Sequence, residues 1–238
     1  MSKLPPTGRK SAKNDKNAPK MIDFMPFLKN ICMKFVYRLG GVNTCMNETR
    51  AVTSAKAVKQ IQNALHRQHP RYGLLWMMGV ETGLRISDLL TLQVRSLNQL
   101  PLPMTSIFVG NVYESKTGKH KQFTLGLDVS ERLTKHIRTH RLKPEHYIFF
   151  SSATNKQKPI SRQWAHRLIA RTAKIRGLQC VGAHSMRKIY ACNLYRATGS
   201  LSAVQKALNH SYPSTTLMYL RDLLPEIPQS GAARQPPD

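Results

Sequence analysis

The hydrophobic period of this chain changes once, and that change limits the fold more than any other feature. Two helix-like stretches come first. In "AKAVKQIQNAL" (55–65), Val58, Ile61 and Leu65 fall on one face, with Thr53-Ser54 ahead as a capping position. "YGLLWMMGVETG" (72–83) is apolar almost all round, which predicts a buried helix. "LRISDLLTLQV" follows, with Ser87 placed to cap a short helix. Then "SIFVGNVYE" and "KQFTLGLD" alternate at period two and flank "SKTGKH", a hairpin with glycine at its bend. After Asp128 the helical period returns in "SERLTKHIRTHRL", in "RQWAHRLIARTAKIR" from Ser161 to Gly177, and in "HSMRKIYACNLYRATG". "LSAVQKALNH" follows Gly199-Ser200, and "TTLMYLRDLL" runs from a Ser214 cap to a stop at Pro225. The pattern predicts a mainly α fold with one small antiparallel β-sheet, an α+β class. No GxGxxG or GxxxxGK[ST] is present, so a doubly wound nucleotide binder is excluded.

The ends read differently. Residues 1–20 hold six basic residues and three prolines with almost nothing apolar, which predicts a disordered basic arm. Residues 21–50 read as a short helical N-terminal extension, 51–225 as the main domain, and 226–238 as a flexible tail. The N-terminus lacks the apolar run of a signal peptide, and no stretch approaches the roughly 20 apolar residues of a spanning helix.

Charge narrows the partner. With 37 Lys+Arg against 12 Asp+Glu, the net charge of +25 calls for a polyanion. Nucleic acid comes first and an anionic membrane surface second. The four cysteines, Cys32, Cys45, Cys180 and Cys192, form no CxxC and no zinc-like spacing, which predicts packed thiols in a reducing cytoplasm and no metal.

Breaking a phosphodiester without metal needs a nucleophile in line with phosphorus, fixed cations on the non-bridging oxygens, and an acid for the leaving oxygen. A tyrosine nucleophile keeps the bond energy in its own phosphodiester, so rejoining needs no ATP. Arginine suits the clamp because its planar fork meets two oxygens and never loses its charge. The chain offers such groups in order: Arg85 in "TGLRISDLL", Lys116 in "ESKTGKHK", His184 and Arg187 in "HSMR", His210 in "LNHS", and Tyr219 in "LMYL".

Each residue alone has a plainer explanation. Arg85 could be a helix-end arginine paired with Asp88, and Lys116 one of several exposed hairpin lysines beside Lys119 and Lys121. His184 and Arg187 could be a solvated basic face, His210 a C-cap, and Tyr219 a core residue. Taken together and in this order, they resemble the tyrosine recombinase (phage integrase) family over about residues 50–225. "TGLRISDLL", with Asp88 at a position usually acidic, resembles that family's first-arginine box. "SKTG" is similar to its hairpin-lysine segment, "HSMRKIYACNL" to the second box, and "VQKALNHSYPSTTLMYL" to the third. Asn209 stands where glycine is common, and Ser185 where an acidic residue is common.

The resemblance implies the tyrosine recombinase catalytic-domain fold. It also implies that Tyr219 forms a 3′-phosphotyrosine, Arg85 and Arg187 clamp the phosphate, and His210 donates to it. His184 is the implied general base, Lys116 the implied acid (with Lys119 as the alternative), and Asp88 a support for the arginines. No cofactor is implied. The implied partners are a double-stranded DNA site, a homotetrameric synapse with C-terminal segments docked between subunits, and, in place of a full core-binding domain, an accessory DNA-bending protein. The implied location is the cytoplasm, on nucleoid or plasmid DNA. A type IB topoisomerase, or a DNA-binding protein that has lost catalysis, would use the same scaffold.

A basic row on the helix after Ser161, comprising Arg162, Arg167, Arg171, Lys174 and Arg176, predicts phosphate or groove contacts, with Trp164 and Leu168 in the core.

Overall fold

The computed structural model of the protein describes residues 51–101 and 106–221. The expected arm (1–20), helical extension (21–50), helix stop at Pro225 and tail (226–238) lie outside the described residues.

Helix α1 spans Ala55–Gln68, and the Ser54 hydroxyl caps it by accepting the Ala57 N–H. Helix α2, Pro70–Thr82, is the axle of the domain. Leu74, Leu75, Trp76 and Met78 are all buried on it, and it packs against α1 and the later helices α4 and α6. Helix α3 is one short piece, Ile86–Leu90, preceded by Arg85 in extended conformation. The expected cap at Ser87 is not formed. The helix begins one residue ahead of it, and the Ser87 hydroxyl instead lies 3.4 Å from Asp88.

The sheet has three antiparallel strands in the order β1-β2-β3, covering Leu97–Pro101, Ser106–Tyr113 and His120–Thr124. The expected hairpin is β2–β3, with Tyr113 opposite His120. Strand β1, opposite β2 from Leu97↔Gly110 to Pro101↔Ser106, was not expected. Its "LNQLP" has no period-two alternation and ends in proline, so only its partner strand defines it.

Helix α4 (Leu127–Thr139) lies on β2 and α2, and α5 (Arg162–Ile175) on α1 and α6. Ser161 caps α5 through the Trp164 N–H at 3.1 Å. Helix α6, Ala183–Thr198, ends at Gly199 in the left-handed region, and Ser200 caps α7, Leu201–Ala207. The last helix, α8, spans Pro213–Leu220. Pro213 opens it, with Tyr212 ahead, so Ser214 lies inside the first turn and does not cap. Proline needs no partner for a missing N–H and presets the helical φ, which makes it a sufficient start.

Two apolar clusters result. The larger joins α1, α2, α4, α5 and α6 beneath the sheet. The smaller, of Ala191, Cys192, Val204, Leu208 and Leu220, seats α7 and α8 on α6. Fully burying Leu208 and Leu220 is worth about 1.5–3 kcal/mol each. That is what holds the tyrosine-bearing helix in place. Cys192 is buried.

Candidate active site

Helix α2 ends at Gly83 with φ 60, a left-handed turn whose Cβ position is blocked by the Tyr190 ring. Only glycine fits there on both counts. The turn is held from below. Lys121 Nζ donates to the Thr82 carbonyl at 2.8 Å, and Arg187 Nη1 to the Gly83 carbonyl at 2.7 Å. Arg85 leaves this turn extended and points its guanidinium at the hairpin, with Nη1 2.6 Å from Glu114 Oε2 and 4.0 Å from Asp88 Oδ2. Asp88 spends its stronger contacts on the hairpin: Oδ1 accepts the Ser115 N–H at 3.0 Å and the Ser115 hydroxyl at 2.6 Å.

His184 and Arg187 lie at i, i+3 on α6. Arg187 is 1% exposed, and besides Gly83 it donates Nη2 to the Leu208 carbonyl at 2.5 Å. It thus ties the end of α2 to the end of α7. Past α7, the Asn209 N–H bonds to the Lys206 carbonyl and the His210 N–H to the Gln205 carbonyl, both at 3.0 Å. This Schellman closure requires a left-handed residue at 209, where φ is 53. His210 Nδ1 lies 3.1 Å from the Thr216 hydroxyl, and its ring meets that of Tyr219 edge-on at 4.7 Å. The Tyr219 hydroxyl is 2.5 Å from His184 Nε2. Arg85, His184, Arg187, His210 and Tyr219 therefore converge.

The hairpin lysines separate. Lys116 is exposed at the tip, directly after Ser115. Lys119 donates to the Asn209 carbonyl at 3.4 Å and the Ser211 hydroxyl at 3.2 Å, strapping the hairpin to the His210 turn.

The electrostatics suit proton transfer from the phenol. Desolvation, then the charges of Arg187, Lys188 and Arg85, draw the His184 pKa down to about 4. Desolvation, then Arg187 and Arg85, does the same to His210. Both rings are neutral at pH 7. Burial raises the Tyr219 pKa, opposed by the charge and hydrogen bond of Arg187.

Two groups escaped the sequence reading. Glu114, 1% exposed, faces both arginines. Lys121, 7% exposed, sits beneath them, and desolvation followed by the Arg187 charge lowers its pKa to about 7. In the sequence they are one more charge at each end of a hairpin. The available signal was alternation: Glu114, one residue past β2, continues the i, i+2 row of Val112, and Lys121 and Phe123 share one face of β3.

A model of the phage integrase family matches residues 51–224. The chain belongs to the phage integrase family. It is 31% identical over 176 residues to the probable integrase/recombinase YoeC of Bacillus subtilis, covering 74% of this chain and 91% of that one. It is 29% identical to transposase A from transposon Tn554 of Staphylococcus aureus, over 68% of this chain and 46% of the transposase. In fold it is similar to XerH site-specific recombinase in a post-cleavage complex with a difH substrate (TM-score 0.60, 19% identity, 86% of this chain and 64% of that one). It is also similar to a lambda integrase tetramer bound to a Holliday junction (TM-score 0.55, 20% identity, 74% and 49%). Membership makes the chain a tyrosine site-specific recombinase, the class that its motif order implies.

This integrase-family domain carries a basic flank beside the site. Arg162, Arg167, Arg171, Lys174 and Arg176 are all exposed on α5, while Trp164 and Leu168 are half-buried against the core. A cleft of about 540 Å³ runs from Arg162, Gln163, His166 and Arg167 to Ile86 and His184, joining this row to the candidate site. Among the described residues no His, Cys, Asp or Glu group could hold a metal, and no helix is long and apolar enough to cross a membrane.

Proposed function

We propose that this recombinase cuts and rejoins duplex DNA one strand at a time through a 3′-phosphotyrosyl intermediate on Tyr219. The observation that carries the reading is the 2.5 Å contact between the Tyr219 hydroxyl and the Nε2 of a neutral His184. With its ring proton on Nδ1, His184 accepts the phenolic proton as the Tyr219 oxygen bonds to phosphorus. The bond from phosphorus to the 5′ oxygen breaks, and Lys116 supplies the proton that this oxygen takes. Lys116 is the better acid on two grounds: it lies in the "SKTG" segment, and the Lys119 ammonium is engaged at the His210 turn.

Arg85 and Arg187 meet the charge that grows on the non-bridging oxygens. Arg187 is buried with its charge close to the Tyr219 phenol, so a phosphate attacked by Tyr219 lies within its field. His210 Nδ1 lies 3.1 Å from the Thr216 hydroxyl, and in the tautomer in which that hydroxyl donates, the Nε2–H of the neutral ring donates to phosphate. Asp88 acts on the clamp and on the lysine loop together, through Arg85 and Ser115.

Arg162, Arg167, Arg171 and Lys174 hold the duplex by its phosphates, continuous with the cleft at His184. Two cut strands on each of two duplexes need four tyrosines, so the working form is a homotetramer on synapsed DNA. An accessory bending protein supplements its grip, and the enzyme works where DNA is, in the cytoplasm. A nicked duplex from the chain's own flanking genomic DNA traps the intermediate, because the released strand is lost. Wild type should yield a covalent adduct, and Tyr219→Phe should yield none while still binding the duplex. An adduct in the Phe variant would remove Tyr219 from the reaction.

A further inference from the structure

Glu114 sits one residue past the end of β2, directly before the loop that carries Lys116. Its side chain is fully buried, yet it touches both clamp arginines. Oε2 lies 2.6 Å from Arg85 Nη1 and accepts the Thr117 hydroxyl at 2.8 Å, while Oε1 lies 3.5 Å from Arg187 Nη1. Burial alone would push this carboxyl up, but Arg85, Thr117 and Arg187 outweigh it and hold it below the usual range. It is ionised in the folded protein.

The two arginines come from different helical segments and repel. Beyond desolvation, the nearby Arg85 charge is what weakens the ionisation of Arg187, and Glu114 is a charge that offsets it. The relative depth of the groups fixes which side the carboxylate is on. The Arg85 side chain is 20% exposed and that of Glu114 0%, so the carboxylate lies under the guanidinium, away from the opening.

We infer that Glu114 is a positioning residue that sets the spacing of the Arg85 and Arg187 guanidiniums from the buried side of Arg85, leaving the outer N–H groups of Arg85 for the scissile phosphate. It also links that pair to the lysine loop through Thr117. The inference rests on the phosphotyrosyl reading above. A carboxylate that merely occupied the phosphate's place would have the opposite effect when removed.

The test is single-turnover adduct formation on the nicked duplex, with DNA affinity measured separately. Glu114→Gln keeps the shape and removes the charge. Its cleavage rate should fall about 10²-fold, as for loss of one preorganised charge contact, while its Kd for DNA stays within about threefold and its thermal unfolding is little changed. Glu114→Asp should recover part of the rate. In an Arg85→Lys background, the Gln substitution should cost no more than about threefold further, because the two residues act as one unit. A rate that is unchanged or raised, an equal loss in affinity, or a full multiplicative loss in the Lys background would each overturn the inference. If Glu114→Gln does not fold, Glu114→Asp takes its place in the same comparisons, again with the chemical step lowered and affinity kept. A wild type that forms no adduct would instead sink the phosphotyrosyl reading.

Discussion

At residue 209 a single backbone angle decides whether His210 reaches the site. With φ at 53, Asn209 closes the end of α7, and the His210 N–H completes the second bond of that closure. In the sequence Asn209 is a departure from glycine and a place to expect altered geometry. Asparagine, however, tolerates the left-handed region better than other non-glycine residues, and its Nδ2 donates to the His120 carbonyl at 3.3 Å. Asn209→Gly trades that contact for an unstrained backbone and should leave stability within about 0.5 kcal/mol. Asn209→Val should cost about 1–2 kcal/mol, because a β-branched side chain is strained there. It should also slow adduct formation by displacing His210. Urea denaturation and the adduct assay on the same two variants check this, and a Val variant as stable as wild type would contradict it. Glu114 is the opposite case at this scale. Nothing in "VYESKT" says that its carboxylate will meet arginines 29 positions before it and 73 after it, because that meeting exists only once α2, α6 and the hairpin have packed.

Between elements, the joint of α2 with α4 holds a pH-sensitive contact outside the site. Glu81, in the last turn of α2, accepts the Gly126 N–H at 2.7 Å just ahead of α4. Desolvation raises its pKa to about 7, partly opposed by that hydrogen bond and assisted by the Asp128 charge. A carboxyl raised in the folded state holds its proton there after the unfolded chain has released its own. Stability therefore falls as pH climbs from about 4.5 to 7, and the penalty persists above 7. Glu81→Gln keeps an oxygen for Gly126 and removes the penalty. It should stabilise the domain at pH 8 by roughly 1–2 kcal/mol, after allowance for partial exposure, and by almost nothing at pH 4. Denaturation midpoints at the two pH values test it, and an equal effect at both would refute the titration. Elements themselves were legible where a local device starts or stops them. Ser54 caps as expected, Ser161 and Ser200 cap where the sequence places helix starts, and Gly83 and Gly199 close α2 and α6 in the left-handed region. Ser87 and Ser214 misled because an extended Arg85 and a proline at the first helical position had already begun those helices. Strand β1 was hidden because its signal lies in β2.

Over the described domain, a cleft that reaches His184 of the candidate site is lined on its other side by the exposed Arg162 and Arg167 of α5. The net charge of +25 over 238 residues could be a uniform solubilising coat or a track for a polyanion. The track is favoured where cations sit together on one exposed face with few acids, and from 161 to 188 the chain carries no Asp or Glu at all. Phosphate contacts release counterions, so each one removed reduces the steepness of log affinity against log salt by about 0.9. Arg167 and Arg171 stand one turn apart on α5, both exposed, and both line a groove of about 800 Å³ between α1 and α5. Their double replacement by alanine should lower that slope by about 1.8 and weaken binding at low salt, to a similar degree for specific and unrelated duplexes. Fluorescence anisotropy over a salt series measures it. Weakened binding with an unchanged slope would mean that the arginines act through packing against Trp164 and Leu168 rather than on phosphate. An unchanged slope with unchanged affinity would move the duplex off α5 altogether.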